Sequence, residues 1–190
     1  MPEFLLTAGG IVISLLAILL LGTLLALLLT RTPYIPTPHH ITSIMVDFAK
    51  LQGNERVYDL GCGDGRLLFE TKRRFPGMTA VGYEVSPYPY LKALARNTAT
   101  RRGVRLLFRS FLESNLSDAD VIFVYLLPPM MEKLQRKLAR ELRPGTRVIS
   151  HGFEFKGRTP VEILDFKKLP LSFGYYAHPE RTPMLYRYLW

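Results

Sequence analysis

At 190 residues, 48% of them hydrophobic, the chain can hold one domain with a full core plus a short extra element, and it is too short for two full domains. Its formal charge is +9. The single cysteine, Cys62, excludes an intrachain disulfide and cannot build a zinc site alone, which suits a reducing compartment.

The first element is an apolar run. Phe4 to Thr30 carries no charged residue and is mostly Leu, Ile, Ala and Val. As a helix it would be about 40 Å long, enough to cross a hydrocarbon core of about 30 Å with some tilt. A cleaved signal peptide would need a basic start, a shorter apolar run and a small-residue cleavage site, whereas only Glu3 precedes this run and Leu-Leu-Leu-Thr-Arg ends it. Residues 1–30 therefore read as a single transmembrane helix, with residues 4–30 in the bilayer. All 25 Lys and Arg and 15 of the 16 acidic residues follow Thr30, giving that portion a formal charge of +10. Because positive flanks stay inside, it is expected on the cytoplasmic side. The basic residues fall in short clusters such as Lys72-Arg73-Arg74 and Arg101-Arg102. These suit anionic head groups or a solvated face; nucleic-acid binding is the weaker reading, since no aromatic-basic recognition motif accompanies them.

Residues 31–40 form a neck. Pro33, Pro36 and Pro38 forbid a continuing helix and favour a stiff, extended segment. Residues 41–190 read as one domain. Thr42 or Ser43 is placed to cap a helix reaching Leu51, with Ile44, Phe48 and Leu51 on one face. From Arg56 onward, β-type runs (Arg56 to Leu60, Thr79 to Glu84, Val104 to Arg109, Val121 to Leu126, Thr146 to His151) alternate with helical stretches (Gly65 to Arg74, Pro87 to Arg102, Met130 to Leu142). In the last helix Met130, Leu134, Leu138 and Leu142 recur every four residues, while Lys133, Arg136, Lys137 and Arg140 take the other faces. Two further strands, Val161 to Phe166 and Pro183 to Trp190, lack an intervening long helix. The order predicts an α/β fold: a Rossmann-like, doubly wound, mostly parallel sheet with a C-terminal antiparallel edge.

The most informative stretch is Val57-Tyr58-Asp59-Leu60-Gly61-Cys62-Gly63-Asp64-Gly65-Arg66, a strand running into three alternating glycines and then a helix. Gly61 permits a sharp turn, Gly63 lets a ligand lie on bare backbone, and Gly65 allows the helix to pack close to the strand. Asp59 is placed to attract an ammonium group, and Glu84, ending the next strand, to accept from both ribose hydroxyls of an adenosine. Cys62 is a small residue beside the ligand. A dinucleotide fingerprint would need Gly at position 66, and a phosphate loop would need Gly-Lys-Ser/Thr; neither is present.

The D-x-G-x-G-x-G spelling with an acid on the next strand resembles the motif of class I methyltransferases that use S-adenosylmethionine. Together with Tyr34-Ile-Pro-Thr-Pro, the segment Ala119 to Pro128 and the segment Pro144 to His151, it resembles the membrane-associated protein lysine methyltransferases that include the enzymes acting on the ATP synthase c-ring protein and on the adenine nucleotide translocase. The resemblance implies S-adenosyl-L-methionine as cofactor and a lysine in a membrane protein as acceptor. It also implies an adenine contact after the third strand, at Ser110 and Phe111, where Ser110 replaces the family's acidic residue.

Methyl transfer from a sulfonium is an in-line displacement, so the enzyme aligns the acceptor and excludes water. A lysine must be neutral to attack, and hydroxyls or carbonyls can orient its free amine. The candidates are Tyr125, the Leu127-Pro128 turn, and Tyr34 and Thr37 of the neck. His39, His40, His151 and His178 read as surface or capping residues. Two other functions compete: a small-molecule or lipid methyltransferase, and a non-catalytic membrane-anchored nucleoside-binding module. The sequence leaves the oligomeric state open.

Overall fold

Seven strands among the described residues form one sheet in the order β3-β2-β1-β4-β5-β7-β6. The computed structural model describes residues 2–30, 33–168 and 184–190; Arg31, Thr32, His178 and Pro183, which figure in the expectations above, lie outside them. The strands are β1 (Arg56–Leu60), β2 (Thr79–Glu84), β3 (Arg105–Phe108), β4 (Val121–Val124), β5 (Arg147–His151), β6 (Glu162–Asp165) and β7 (Met184–Leu189). The helices are α1 (Pro2–Thr30), α2 (His39–Phe48), α3 (Arg66–Arg74), α4 (Pro87–Thr100) and α5 (Pro128–Glu141).

Strands β1 to β5 pair in parallel, and β7 runs antiparallel to both β5 and β6, so the expected edge is present. Alternate residues of β1 and β4 enter two cores. Val57, Val121 and Phe123 join α2 and α3 on one face, while Tyr58, Leu60, Ile122 and Val124 join α5 on the other. Burial on both faces explains why these strands read as nearly continuous apolar runs. The chain crosses from β3 at one edge to β4 beside β1, so the order reverses between β1 and β4. A crevice opens there, outside the carboxyl ends of the strands, where ligands bind in such sheets.

Helix α2 begins earlier than its capping residues suggested. Pro38 occupies the N-cap position, its carbonyl accepts from the Thr42 amide, and the Thr42 hydroxyl donates to the His39 carbonyl inside the first turn. Ile44 and Phe48 are buried as expected. In α5 the stripe is centred on Leu134 and Leu138, both fully buried, but Lys137 is buried too. Its ammonium donates to Glu141, whose other oxygen accepts from the Leu116 amide, so this lysine ties α5 to the segment before β4.

Helix α1 stands apart from both cores. Its Thr7–Leu29 segment has a mean hydropathy of 3.0, is almost wholly exposed, and is long and apolar enough to cross a membrane. Only its last turns meet the domain: a side chain at Gly22 would stand 3.1 Å from Pro87, and Ala26 is buried.

Candidate active site

The crevice is closed below by the glycine loop and above by the neck. Gly61 (φ +86°) lets the chain leave β1 sharply, and the Gly61 and Cys62 amides both donate to the Tyr83 carbonyl at 2.9 Å, tying the loop to β2. Gly63 (φ +56°) lies directly beneath the Tyr34 ring: a Cβ there would come within 2.7 Å of it. Gly65 (φ +73°) caps α3, and a Cβ on it would meet Phe69 and Ala93 rather than a strand. The close helix–strand approach that the motif promised occurs instead at Gly82 of β2, where a Cβ would lie 2.7 Å from Cys62 Sγ and 2.8 Å from Leu68.

Glu84 organises the loop. Its Oε2 accepts from the Gly63 amide at 2.8 Å, and its Oε1 accepts from the Val85 and Ser86 amides at 2.9 and 2.7 Å. A carboxylate has about four acceptor sites, so Oε2 keeps one for a ligand. Asp59 lies beside it at the carboxyl end of β1, buried, with no cation paired to it among the described residues. Burial, and then the Glu84 and Asp64 charges, push the Asp59 pKa up to about 8. Two buried carboxylates on one wall form a site in which a cation would relieve their repulsion. Burial and the same carboxylates push the Cys62 thiol well up, and its sulfur packs into the core, so Cys62 is a spacer and not a nucleophile.

Beyond β3, Ser110 and Phe111 line the same crevice. The Ser110 hydroxyl accepts from the Leu112 amide at 3.2 Å and caps the 3₁₀ turn Phe111–Glu113. One lone pair remains for a ligand amine. Tyr125 follows β4 and lines the crevice, its ring stacked on buried His151 at 4.2 Å between centroids. The Leu127 carbonyl accepts from the Met130 and Met131 amides and so starts α5, which removes it as an acceptor for a substrate amine.

The neck is held by a cluster that the sequence reading passed over. Asp64, 2% exposed, accepts from Arg66 through both oxygens at 2.8 Å, with Arg96 at 3.3 Å and Lys92 at 4.0 Å. Arg66 also donates to the Thr37 carbonyl at 2.7 Å, fixing the neck over the loop. Burial alone would raise the Asp64 pKa, but the Arg66 hydrogen bonds and the Arg66 and Arg96 charges outweigh it and hold it low. The buried Tyr34 hydroxyl is pushed up to about 12, first by desolvation and then by the Asp64 charge. Tyr34, Thr37, Asp59, Gly61, Gly63, Glu84, Ser110 and Tyr125 thus come from six segments to one crevice.

Comparison with known proteins agrees with this geometry. Residues 59–162 match the ANTKMT methyltransferase domain. The chain is 40% identical over 137 residues to a protein-lysine N-methyltransferase of Saccharolobus islandicus (70% of this chain, 84% of that one). It is 31% identical over 167 residues to the human lysine N-methyltransferase of the ATP synthase c-ring protein (84% and 69%). Among solved structures, an RNA methyltransferase from Salinibacter ruber in complex with S-adenosyl-L-homocysteine superposes with a TM-score of 0.68 at 30% identity, over 82% of this chain and 93% of that one. With the motif, the doubly wound sheet and the acidic crevice in agreement, the chain belongs to the ANTKMT methyltransferase domain family and is an S-adenosylmethionine-dependent methyltransferase.

Proposed function

We propose that the protein methylates a lysine side chain of a membrane protein, with residues 1–30 as a single-pass anchor, 31–40 as the neck and 41–190 as the catalytic domain on the cytoplasmic side. The observation that carries this reading is that the segment leaving the apolar helix α1 is also the roof of the crevice, through Tyr34 and Thr37. The lysine acceptor follows the names of the Saccharolobus and human relatives. The cofactor supplies a methyl group on a sulfonium, and the protein positions it. Asp59 faces the cofactor's ammonium; Glu84 accepts from its ribose; bare backbone at Gly61 and Gly63 leaves room for it; Ser110 and Phe111 border its adenine. Tyr125, backed by His151, presents a hydroxyl that accepts from the incoming amine and aims its lone pair at the methyl group. Tyr34 and Thr37 close the roof and exclude water.

The Asp59 pKa sets a pH dependence. Below about 8 the free enzyme holds a proton on Asp59, whereas a cationic ligand favours the carboxylate, so binding expels that proton. Affinity for S-adenosylhomocysteine should therefore rise by up to about tenfold between pH 6 and pH 7 and level off near 8. Calorimetry in buffers of different ionisation enthalpy should show the released proton. Asp59→Asn should bind more weakly at pH 8 and lose the slope; a flat profile in the wild type rejects the ammonium assignment.

An RNA acceptor is the second reading, favoured by the Salinibacter structure and the basic charge. One experiment separates the two. Full-length protein in lipid vesicles is incubated with methyl-labelled S-adenosylmethionine, membranes and RNA from its own cells. Label on lysines of integral membrane proteins supports the proposal, and label confined to RNA overturns it.

A further inference from the structure

Helix α4 lies on the sheet through Pro89 and Ala93, and its opposite face is uncharged: Tyr88, Leu91 and Leu94 are 47%, 48% and 43% exposed, with Ala95 and Thr98 open beside them. The outward face of a helix on a soluble domain is ordinarily its charged one. Ile35 of the neck adds a further 43% exposed apolar side chain. This face continues directly from α1. The Tyr88 amide donates to Thr23 Oγ1 at 3.3 Å, and Gly22 abuts Pro87. Thr23 lies six residues before Leu29, the end of the apolar segment, hence about 9 Å below that end along the helix. Where α1 crosses a bilayer, the start of α4 is thereby drawn to the depth at which interfacial helices and aromatic belts sit, about 5–10 Å into the head-group and acyl boundary.

We propose that the Tyr88–Leu91–Leu94 face of α4, continued by Ile35, is a second membrane-contacting surface that inserts into the leaflet at the C-terminal end of α1. The inference rests on the reading of α1 as a span. Its occupant is lipid, because the face is continuous with α1 and carries a cation only at its rim, where Lys92 can reach head groups. Its place beside the active site gives it a use. Tyr88 meets the Tyr34 ring edge-on at 6.5 Å between centroids, and Tyr34 covers Gly63. Insertion of this face therefore sets the mouth of the crevice against the membrane, where lysines just outside a transmembrane segment lie. The domain is seated on the bilayer rather than swinging from a tether.

Tryptophan depth probes test this on the full-length protein in vesicles containing brominated acyl chains. Single variants Leu91→Trp, Leu94→Trp, Leu16→Trp on α1 and Lys133→Trp on the far helix α5 are each read against the wild type, whose one tryptophan is Trp190. We expect Leu91→Trp and Leu94→Trp to lose about half of the added emission when the bromines sit near the head groups. Leu16→Trp should be quenched with bromines deeper in the chains, and Lys133→Trp should not be quenched. Quenching at Leu16 but not at Leu91 or Leu94 overturns the proposal and leaves the span intact; no quenching at Leu16 removes the span and the proposal together. Equal quenching at Lys133, or quenching at Leu91 that fades as the protein-to-lipid ratio rises because a second copy covers the face, also overturns it. In the same vesicles, the double variant Leu91→Glu/Leu94→Glu should keep its affinity for S-adenosylhomocysteine while methylating membrane protein about tenfold more slowly.

Discussion

Replacing Glu84 by alanine should weaken S-adenosylhomocysteine binding by at least about a hundredfold, equivalent to roughly 2.7 kcal/mol. On sequence grounds Glu84 is only a ribose acceptor, and losing a charge-assisted contact costs about 1.5–3 kcal/mol. In the folded protein it also accepts from the Gly63, Val85 and Ser86 amides, which hold the glycine loop against the end of β2. Removing the carboxylate orphans these donors, each costing about 1–3 kcal/mol unless water replaces the partner. Affinity and loop order therefore fall together. Glu84→Gln keeps one acceptor oxygen and should lie between alanine and wild type. A second readout identifies the cause: the Glu84 charge helps to raise the Asp59 pKa, so its removal should move the pH profile of binding to lower pH. Wild-type affinity in a folded Glu84→Ala protein would refute both roles.

How much of this was legible beforehand depends on how local each determinant is. The β-α alternation, the glycine loop and the acid at the end of β2 are contiguous signals, and each falls where its pattern put it. The C-terminal antiparallel edge was legible because no helix separates its two strands. The start of α2 was not, because Pro38 serves as N-cap through its backbone carbonyl without a side-chain oxygen, while Thr42, a good capping residue by type, sits inside the first turn. The His151 support for Tyr125 depends on strand register. Val124 pairs with Ser150, so the next residues, 26 apart in sequence, come face to face only once β4 and β5 are aligned. Gly82 resembles any strand glycine until Cys62 and Leu68 are seen packed on it. Asp64 reads as filler between two glycines, since its importance comes from Arg96, 32 residues away, and from burial that the motif does not encode.

That hidden carboxylate leads to the second large effect, the replacement of Arg66 by alanine. Arg66 is the only side chain bridging Asp64 and the neck among the described residues, with two hydrogen bonds to the carboxylate and one to the Thr37 carbonyl. Its side chain is 15% exposed and that of Asp64 2%, so the pair is buried and solvent screens it little. Breaking a buried pair from one side typically costs about 3–5 kcal/mol because a charge is left uncompensated. Arg96 at 3.3 Å and Lys92 at 4.0 Å remain to neutralise part of it, which brings the expectation to about 2–3 kcal/mol and a fall in Tm of roughly 5–10 °C. Arg66→Lys keeps the charge but not the two-pronged geometry and should recover part of the stability. The functional consequence follows from the neck. Without its tie at Thr37, the segment carrying Tyr34 is released from Gly63, so hydrogen exchange at residues 34–37 should quicken while β1 and β4 stay protected. Methyl transfer should drop more than cofactor affinity, since the roof closes the crevice whereas Asp59 and Glu84 hold the ligand. Equal losses of both, or unchanged exchange in the neck, would show that Arg66 serves the fold alone.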